Sequence, residues 1–493
     1  MVKFIYFFIF VVILALFSYA TEGLDEQLTG QQVFIKDISD NFRVSQLSES
    51  KPKLSPTIHA SYYAEGLRYA RWNEISSVWD VTIVDSVIKI EDHTSIAVDD
   101  TGVPHVAYYG GIPPDVNLLY ATYVGSSGNC GYDKLTGSHV GDWQCHIVDY
   151  GVEGINGTTN NSNDVGYNPS IIISNGVPKI SYYDANNENL KYASYVGSGG
   201  NCGYDKLTGS HVGDWQCDAI GSFGSSDGSD SDQSDAGVSY SLVGWPSMLM
   251  FATHVGSSGN CGYDGLTRSF VGDWQCDLVD NFTRTSLRFF GSATNHFSEY
   301  YGVSSAPFIG YLVNDDSVHQ TVLQFAEYVG SGGNCGTNND WQCERGIDRT
   351  ASIPYPQVDV ATEIDDKPYI MYVAGNGLTS TSADIKIAVL VGSGGNCGTN
   401  NNWQCDIIDS NDIPYWRTGG AITFGKDDGK IYVAYADDEY AGNVFKIAKY
   451  VGSGGNCGYD GLTRSFVGNW QCDLVDKTSI YGGGGFGSDI AYG

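Results

Sequence analysis

Residues Val124–Cys145 read VGSSGNCGYDKLTGSHVGDWQC, and close variants of this string return five more times. The later copies begin at Val196, Val255, Val329, Val391 and Val451, and each closes on Trp-Gln-Cys. All 12 cysteines are used, two per copy: Cys130 and Cys145, Cys202 and Cys217, Cys261 and Cys276, Cys335 and Cys343, Cys397 and Cys405, Cys457 and Cys472. Four pairs are 15 residues apart and two are 8 apart, because TNND or TNNN replaces the tip YDKLTGSHVGD in the short copies. A loop tip tolerates such a deletion and a packed element does not, so each pair is expected to clamp the base of a hairpin. Six local disulfides follow in an oxidising compartment.

Upstream of each hairpin lies a second pattern. Pro169–Val196 runs SIIIS, Asn175-Gly176, VPKISYYD, a polar ANNEN and LKYASYV. Asn-Gly between two β-rich runs favours a type I′ turn, which needs positive φ at both central residues. With WQCDAI after the hairpin, each copy reads as four antiparallel strands. The third strand carries an alanine in every copy (Ala121, Ala193, Ala252, Ala326, Ala388 and Ala448), with a large apolar residue before it. Bulk on both faces of a strand fits a sheet packed between two like sheets.

A seventh copy without cysteines spans Pro56–Asp85, with Ala70 in register but no first strand; SDIAYG at Ser488–Gly493 resembles the first strand TSIAVD at Thr94–Asp99. The expected fold is therefore all-β: a seven-bladed β-propeller of four-stranded antiparallel blades over residues 55–493, its ring closed by the C-terminal strand. An incomplete eighth blade is the alternative. Gly151–Gly166, Gly221–Asp235 and residues 281–300 fall outside the pattern and are candidate rim loops.

Lys3, the apolar run Phe4–Phe17 and Ser18-Tyr19-Ala20 describe a secretory signal peptide over residues 1–20, followed by an N-terminal extension at 21–54. The expected location is extracellular or cell-surface, with no membrane span after cleavage. The chain has 493 residues, 26 Lys+Arg against 57 Asp+Glu and a net charge of −31, which leaves no basic face for nucleic acid. At 42% hydrophobic and 13% aromatic it can fill a large core.

Nucleophile and phosphate-loop motifs are absent, and paired carboxylates such as Asp99-Asp100 and Asp427-Asp428 sit at turn positions. His59 and His105 occupy equivalent second-strand positions where sister copies have Lys179, Phe308, Tyr369 or Ile431, and are candidate general bases. Asp227, Asp230, Asp232 and Asp235 supply oxygen ligands that suit Ca²⁺, or else a solvated acidic loop. Tyr132, Tyr204, Tyr263 and Tyr459, each beside an Asp, could stack on sugars. Asn156, Asn160 and Asn281 begin glycosylation sequons.

SIAVDDTGVPHVAYY followed by NLLYATYVG resembles the propeller repeats of exported microbial proteins, some of them sialidase-like. The resemblance implies the fold over most of residues 55–493, although the Asp-box Ser-x-Asp-x-Gly-x-x-Thr-Trp is missing. The expected function is non-enzymatic binding, adhesion or surface display directed at an extracellular glycan or surface protein. The alternatives are a carbohydrate-active hydrolase or lyase, and a purely structural extracellular protein.

Overall fold

The computed structural model describes residues 57–86, 94–112, 115–151, 164–222, 231–234, 237–242, 247–265, 267–282, 287–294, 306–315, 318–353, 357–363, 367–375, 382–414, 420–437, 444–477 and 488–493. The chain divides into Met1–Lys53 and Leu54–Gly493, and every described residue belongs to the second unit. The expected signal peptide and extension lie outside the described residues, as do Asp227, Asp230, Asp235, Asn156 and Asn160.

The described residues hold strands and turns and no helix. The first meander comprises β1 (Ile58–Tyr63), β2 (Leu67–Asn73) and β3 (Val78–Asp85). The second holds β4 (Thr94–Val98), β5 (Pro104–Ile112), β6 (Asp115–Tyr123) and β8 (His139–Asp149), with the short β7 (Cys130–Tyr132) in its hairpin. The third is β9 (Val165–Ser174), β10 (Val177–Asp184), β11 (Asn189–Tyr195) and β13 (His211–Ser222), with β12 (Cys202–Asp205). The fourth is β14 (Ser231–Ser234), β15 (Gly237–Leu242), β16 (Ser247–His254) and β18 (Phe270–Phe282), with β17 (Cys261–Tyr263).

The fifth is β19 (Leu287–Thr294), β20 (Phe308–Asp315), β21 (Gln320–Tyr328) and β22 (Trp341–Ala351). The sixth is β23 (Val358–Thr362), β24 (Pro368–Gly375), β25 (Ser382–Leu390) and β26 (Trp403–Pro414). The seventh is β27 (Gly420–Gly425), β28 (Lys430–Asp437), β29 (Val444–Tyr450) and β31 (Phe466–Asp476), with β30 (Cys457–Asp460). The last strand, β32 (Ser488–Tyr492), pairs antiparallel with β1, Ala60 opposite Ile490.

Two stretches expected to interrupt the pattern carry strands. Ser231–Ser234, inside the segment read as an insertion, pairs with β15, and Leu287–Thr294 pairs with β20. A first strand hydrogen-bonds to a neighbour on one edge only within its meander, so its sequence is less constrained and its alternation is weak.

All twelve cysteines form the six nearest-neighbour disulfides, with Cα–Cα distances of 5.9–6.0 Å. The repeated Gly-Asn-Cys has a local cause. A Cβ on Gly128 would fall 1.9 Å from the Trp143 carbonyl, and the next residue, Asn129, bonds both the N–H (2.7 Å) and the carbonyl (2.9 Å) of Cys145. The third-strand alanines are fully buried and stand opposite the second cysteine of each pair, as Ala121 does opposite Cys145. A larger side chain there would crowd the cystine.

Apolar clusters join each meander to the next. Val84 meets Val106 and Trp143, Val148 meets Ile180 and Trp215, and Ile220 meets Tyr240 and Trp274. Val279 meets Tyr311 and Trp341, Leu323 meets Tyr372 and Trp403, and Ile408 meets Tyr435 and Trp470. A seventh cluster brings Phe445 of the last meander against Tyr62 and Ala70 of the first. Burying this surface between like sheets supplies the main driving force for the fold.

Buried polar bolts run across the same boundaries. A second-strand tyrosine donates to an aspartate at the end of the preceding outer strand in Tyr108–Asp85, Tyr182–Asp149, Tyr311–Asp280, Tyr372–Asp348 and Tyr435–Asp409. Lys191, Lys386 or Lys446 joins three of these aspartates, so the buried carboxylates are paired. At the third-to-fourth boundary the aspartate position is Gly221.

Candidate functional site

The first strands bring the chemistry together. Five of them carry a short polar or small residue followed by an aliphatic one, as in Ser95-Ile96-Ala97, Ser170-Ile171-Ile172, Asp359-Val360-Ala361, Ala421-Ile422-Thr423 and Asp489-Ile490-Ala491. Where that residue is polar, its side chain can cross to the next first strand. Asp489 Oδ2 accepts from the Ile96 N–H (2.7 Å) and from Ser95 Oγ (2.8 Å). Ser95 Oγ accepts from the Ile171 N–H (3.2 Å), and Asp359 Oδ2 from the Ile422 N–H (2.7 Å). These bonds satisfy backbone donors that face a neighbouring sheet instead of a ladder partner.

Between these strands lies a cavity of about 210 Å³, lined by residues of β4, β9, β23, β27 and β32 together with Glu363 and Lys426. Its wall is aliphatic, from Ile96, Ile171, Val360, Ile422 and Ile490, while its polar groups include Asp359, Glu363, Asp489 and Tyr492. Asp359 and Asp489 are committed to the stitches just described. Glu363 Oε2 instead accepts from the Tyr369 hydroxyl at 2.7 Å. Burial and the Glu363 carboxylate push the Tyr369 phenol well above its ordinary range. Tyr492 lies 3.3 Å from Asp427 Oδ2, and burial, then Asp427, raises its phenol to about 12. Both tyrosines therefore remain neutral donors at physiological pH. An apolar wall with a few convergent polar groups is the usual composition of a small-molecule site.

The sequence-derived candidates lie elsewhere. His59 is 2% exposed, its Nδ1 2.6 Å from Tyr69 Oη, and burial, then Arg71, lowers its pKa to about 3. His105 Nδ1 is 2.5 Å from Tyr120 Oη and its Nε2 is 3.5 Å from Asp99 Oδ2. Burial raises the Tyr120 phenol well above its usual value, and its ring packs edge-on against Trp215 of the next meander. Neither histidine lines the cavity.

The four tip tyrosines are half-buried and spread over four hairpins, each ring edge-on to His139, His211, Phe270 or Phe466. Their backbones pair with the outer strand of the preceding meander: Tyr132 with Ile83, Tyr204 with Ile147, Tyr263 with Ala219 and Tyr459 with Ile407. The side chain of Asp232, the fourth aspartate of the proposed cation loop, lies outside the described residues. Sequence reading missed Glu363 and Asp489. The available signal was their placement in, or just after, the first strand of their repeats, five of which line the cavity.

No family model matches the sequence, and no curated protein does. Among solved structures, AofleA from Arthrobotrys oligospora is 12% identical over 81% of this chain and 88% of its own, with a TM-score of 0.39. The polysaccharide lyase Uly1 is 11% identical over 77% and 84%, TM-score 0.39. A thermostable family-43 glycoside hydrolase is 14% identical over 66% and 98%, TM-score 0.29. The described residues are all-β, their paired strands antiparallel, and the chain holds six disulfides. No helix among the described residues is long and apolar enough to cross a membrane.

Proposed function

We propose that the meanders are the seven blades of a closed β-propeller, that the protein works outside the cell, and that it is a carbohydrate-active enzyme using the central cavity. Export is supported by the apolar N-terminal run and by six disulfides, which persist in oxidising compartments. The observation that carries the activity is Glu363: a cavity carboxylate held by a phenol, in a wall that also includes Asp359 and Asp489. Paired carboxylates are the usual machinery for cleaving glycosidic bonds, one as acid and one as base or nucleophile. Glu363 takes the acid/base role, and Tyr492 and the aliphatic wall hold the sugar ring.

A panel of polysaccharides incubated with the protein tests this by the release of reducing or unsaturated ends. Turnover abolished by Glu363→Gln supports it; saturable binding with no turnover on any substrate restores the binding and display reading. That second reading is favoured by Tyr132, Tyr204, Tyr263 and Tyr459, each beside an aspartate and each still partly exposed.

A further inference from the structure

The hairpin tips do more than close loops: each extends the edge of the sheet before it. Ile83, Ile147, Ala219 and Ile407 pair with Tyr132, Tyr204, Tyr263 and Tyr459 respectively. The two short hairpins make one backbone bond each to the same edge, from the Thr337 N–H to the Leu278 carbonyl (3.2 Å) and from the Gly398 N–H to the Ile347 carbonyl (2.8 Å). Six outer strands are thus covered by the hairpin of the following meander.

The seventh outer strand, β31, precedes β1 around the set, and the first meander has only the short turn Glu74–Ser77 where the others have a hairpin. The equivalent residue, Leu474, pairs with Lys446 on its inner side. Among the described residues no backbone hydrogen bond reaches its outer side. Exposure follows: Leu474 is 42% exposed, against 6% for Ile147, 6% for Ala219 and 1% for Ile407. Sequence does not explain the difference, because Cys472–Asp476 reads CDLVD, identical to Cys276–Asp280, where the Leu278 carbonyl does accept a hairpin.

We infer that the open edge of β31 at Asp473-Leu474 is a docking site for a Gly-Tyr-Asp hairpin tip carried by another polypeptide. An open strand edge recruits an extended segment through its unpaired backbone groups, and adjacent side chains set the preference. The preference is written in the occupied edges, where Tyr459 and Asp460 lie opposite Ile407 and Asp406, the counterparts of Leu474 and Asp473. All four Gly-Tyr-Asp tips of this chain are already seated on its own strands, so the occupant comes from a different chain. The inference is independent of the carbohydrate reading.

The test uses the purified full chain and a synthetic disulfide-closed peptide with the sequence of Val196–Cys217, titrated by calorimetry. The expected result is saturable binding of one peptide per chain, weakened at least about tenfold by Leu474→Arg in the protein and equally by Tyr204→Ala in the peptide. The peptide variant keeps the test decisive if the protein variant folds poorly. Absence of saturable binding, or binding indifferent to both changes, overturns the inference. So does a concentration-dependent dimer of the chain alone that Leu474→Arg abolishes, since a second copy would then fill the edge.

Discussion

The Tyr62 hydroxyl donates to Asp476 Oδ2 at 2.8 Å across 414 residues of sequence, joining the first meander to the last. Asp476 is 3% exposed and also receives Arg68 Nη1 at 3.1 Å and Lys134 Nζ at 2.7 Å. It has the same form as the five other tyrosine–aspartate bolts, with two cations in place of one.

Removing the carboxylate should cost far more than removing the phenol's hydrogen bond. Tyr62→Phe should lower unfolding free energy by about 1 kcal/mol. Asp476→Ala, which takes the carboxylate partner from the buried Arg68, should lower it by about 3–5 kcal/mol. Denaturant unfolding of the two variants checks the order.

Truncation before Ser488 removes the partner of β1, including the bonds between Thr57 and Gly493 (2.8 and 3.2 Å). The truncated chain should melt at a clearly lower temperature and aggregate through the exposed β1 edge. An unchanged melting curve with a monodisperse product would contradict this.

His59 gives a pH signature of known sign. Its folded pKa, about 3, lies below the ordinary 6.5, so the unfolded chain takes up a proton that the folded chain refuses. Stability from this group is intact above about pH 6.5 and falls as pH drops toward 3. His59→Gln should flatten the dependence of unfolding free energy on pH in that window by about one proton's worth of slope, read from melts at several pH values.

Replacing Cys397 and Cys405 together by alanine opens an 8-residue span. The loop-closure estimate for so short a span is about 2.5 kcal/mol. Non-reducing peptide mapping of the parent chain should return only nearest-neighbour bridges.

The disulfides were legible because the two short copies delete a tip and spare its flanks. The repeat unit was legible because Ala121 and its equivalents must be small opposite a cystine. The innermost strands at Ser231–Ser234 and Leu287–Thr294 were hidden, since a strand bonded on one edge within its meander needs little alternation. The tip tyrosines looked free because nothing local shows that Tyr204 lies beside Ile147, 57 residues earlier. The partner of Asp149 was hidden for the same reason: its tyrosine, Tyr182, is in the next repeat. Glu363 became visible only once strands far apart in sequence were brought around one cavity.

The hooks all point backward: β7 grips β3, β12 grips β8, β17 grips β13 and β30 grips β26. As the chain emerges from its amino end, each new unit can therefore fasten to one already formed. Only the opening unit must wait, three strands wide, until residue 493 has emerged.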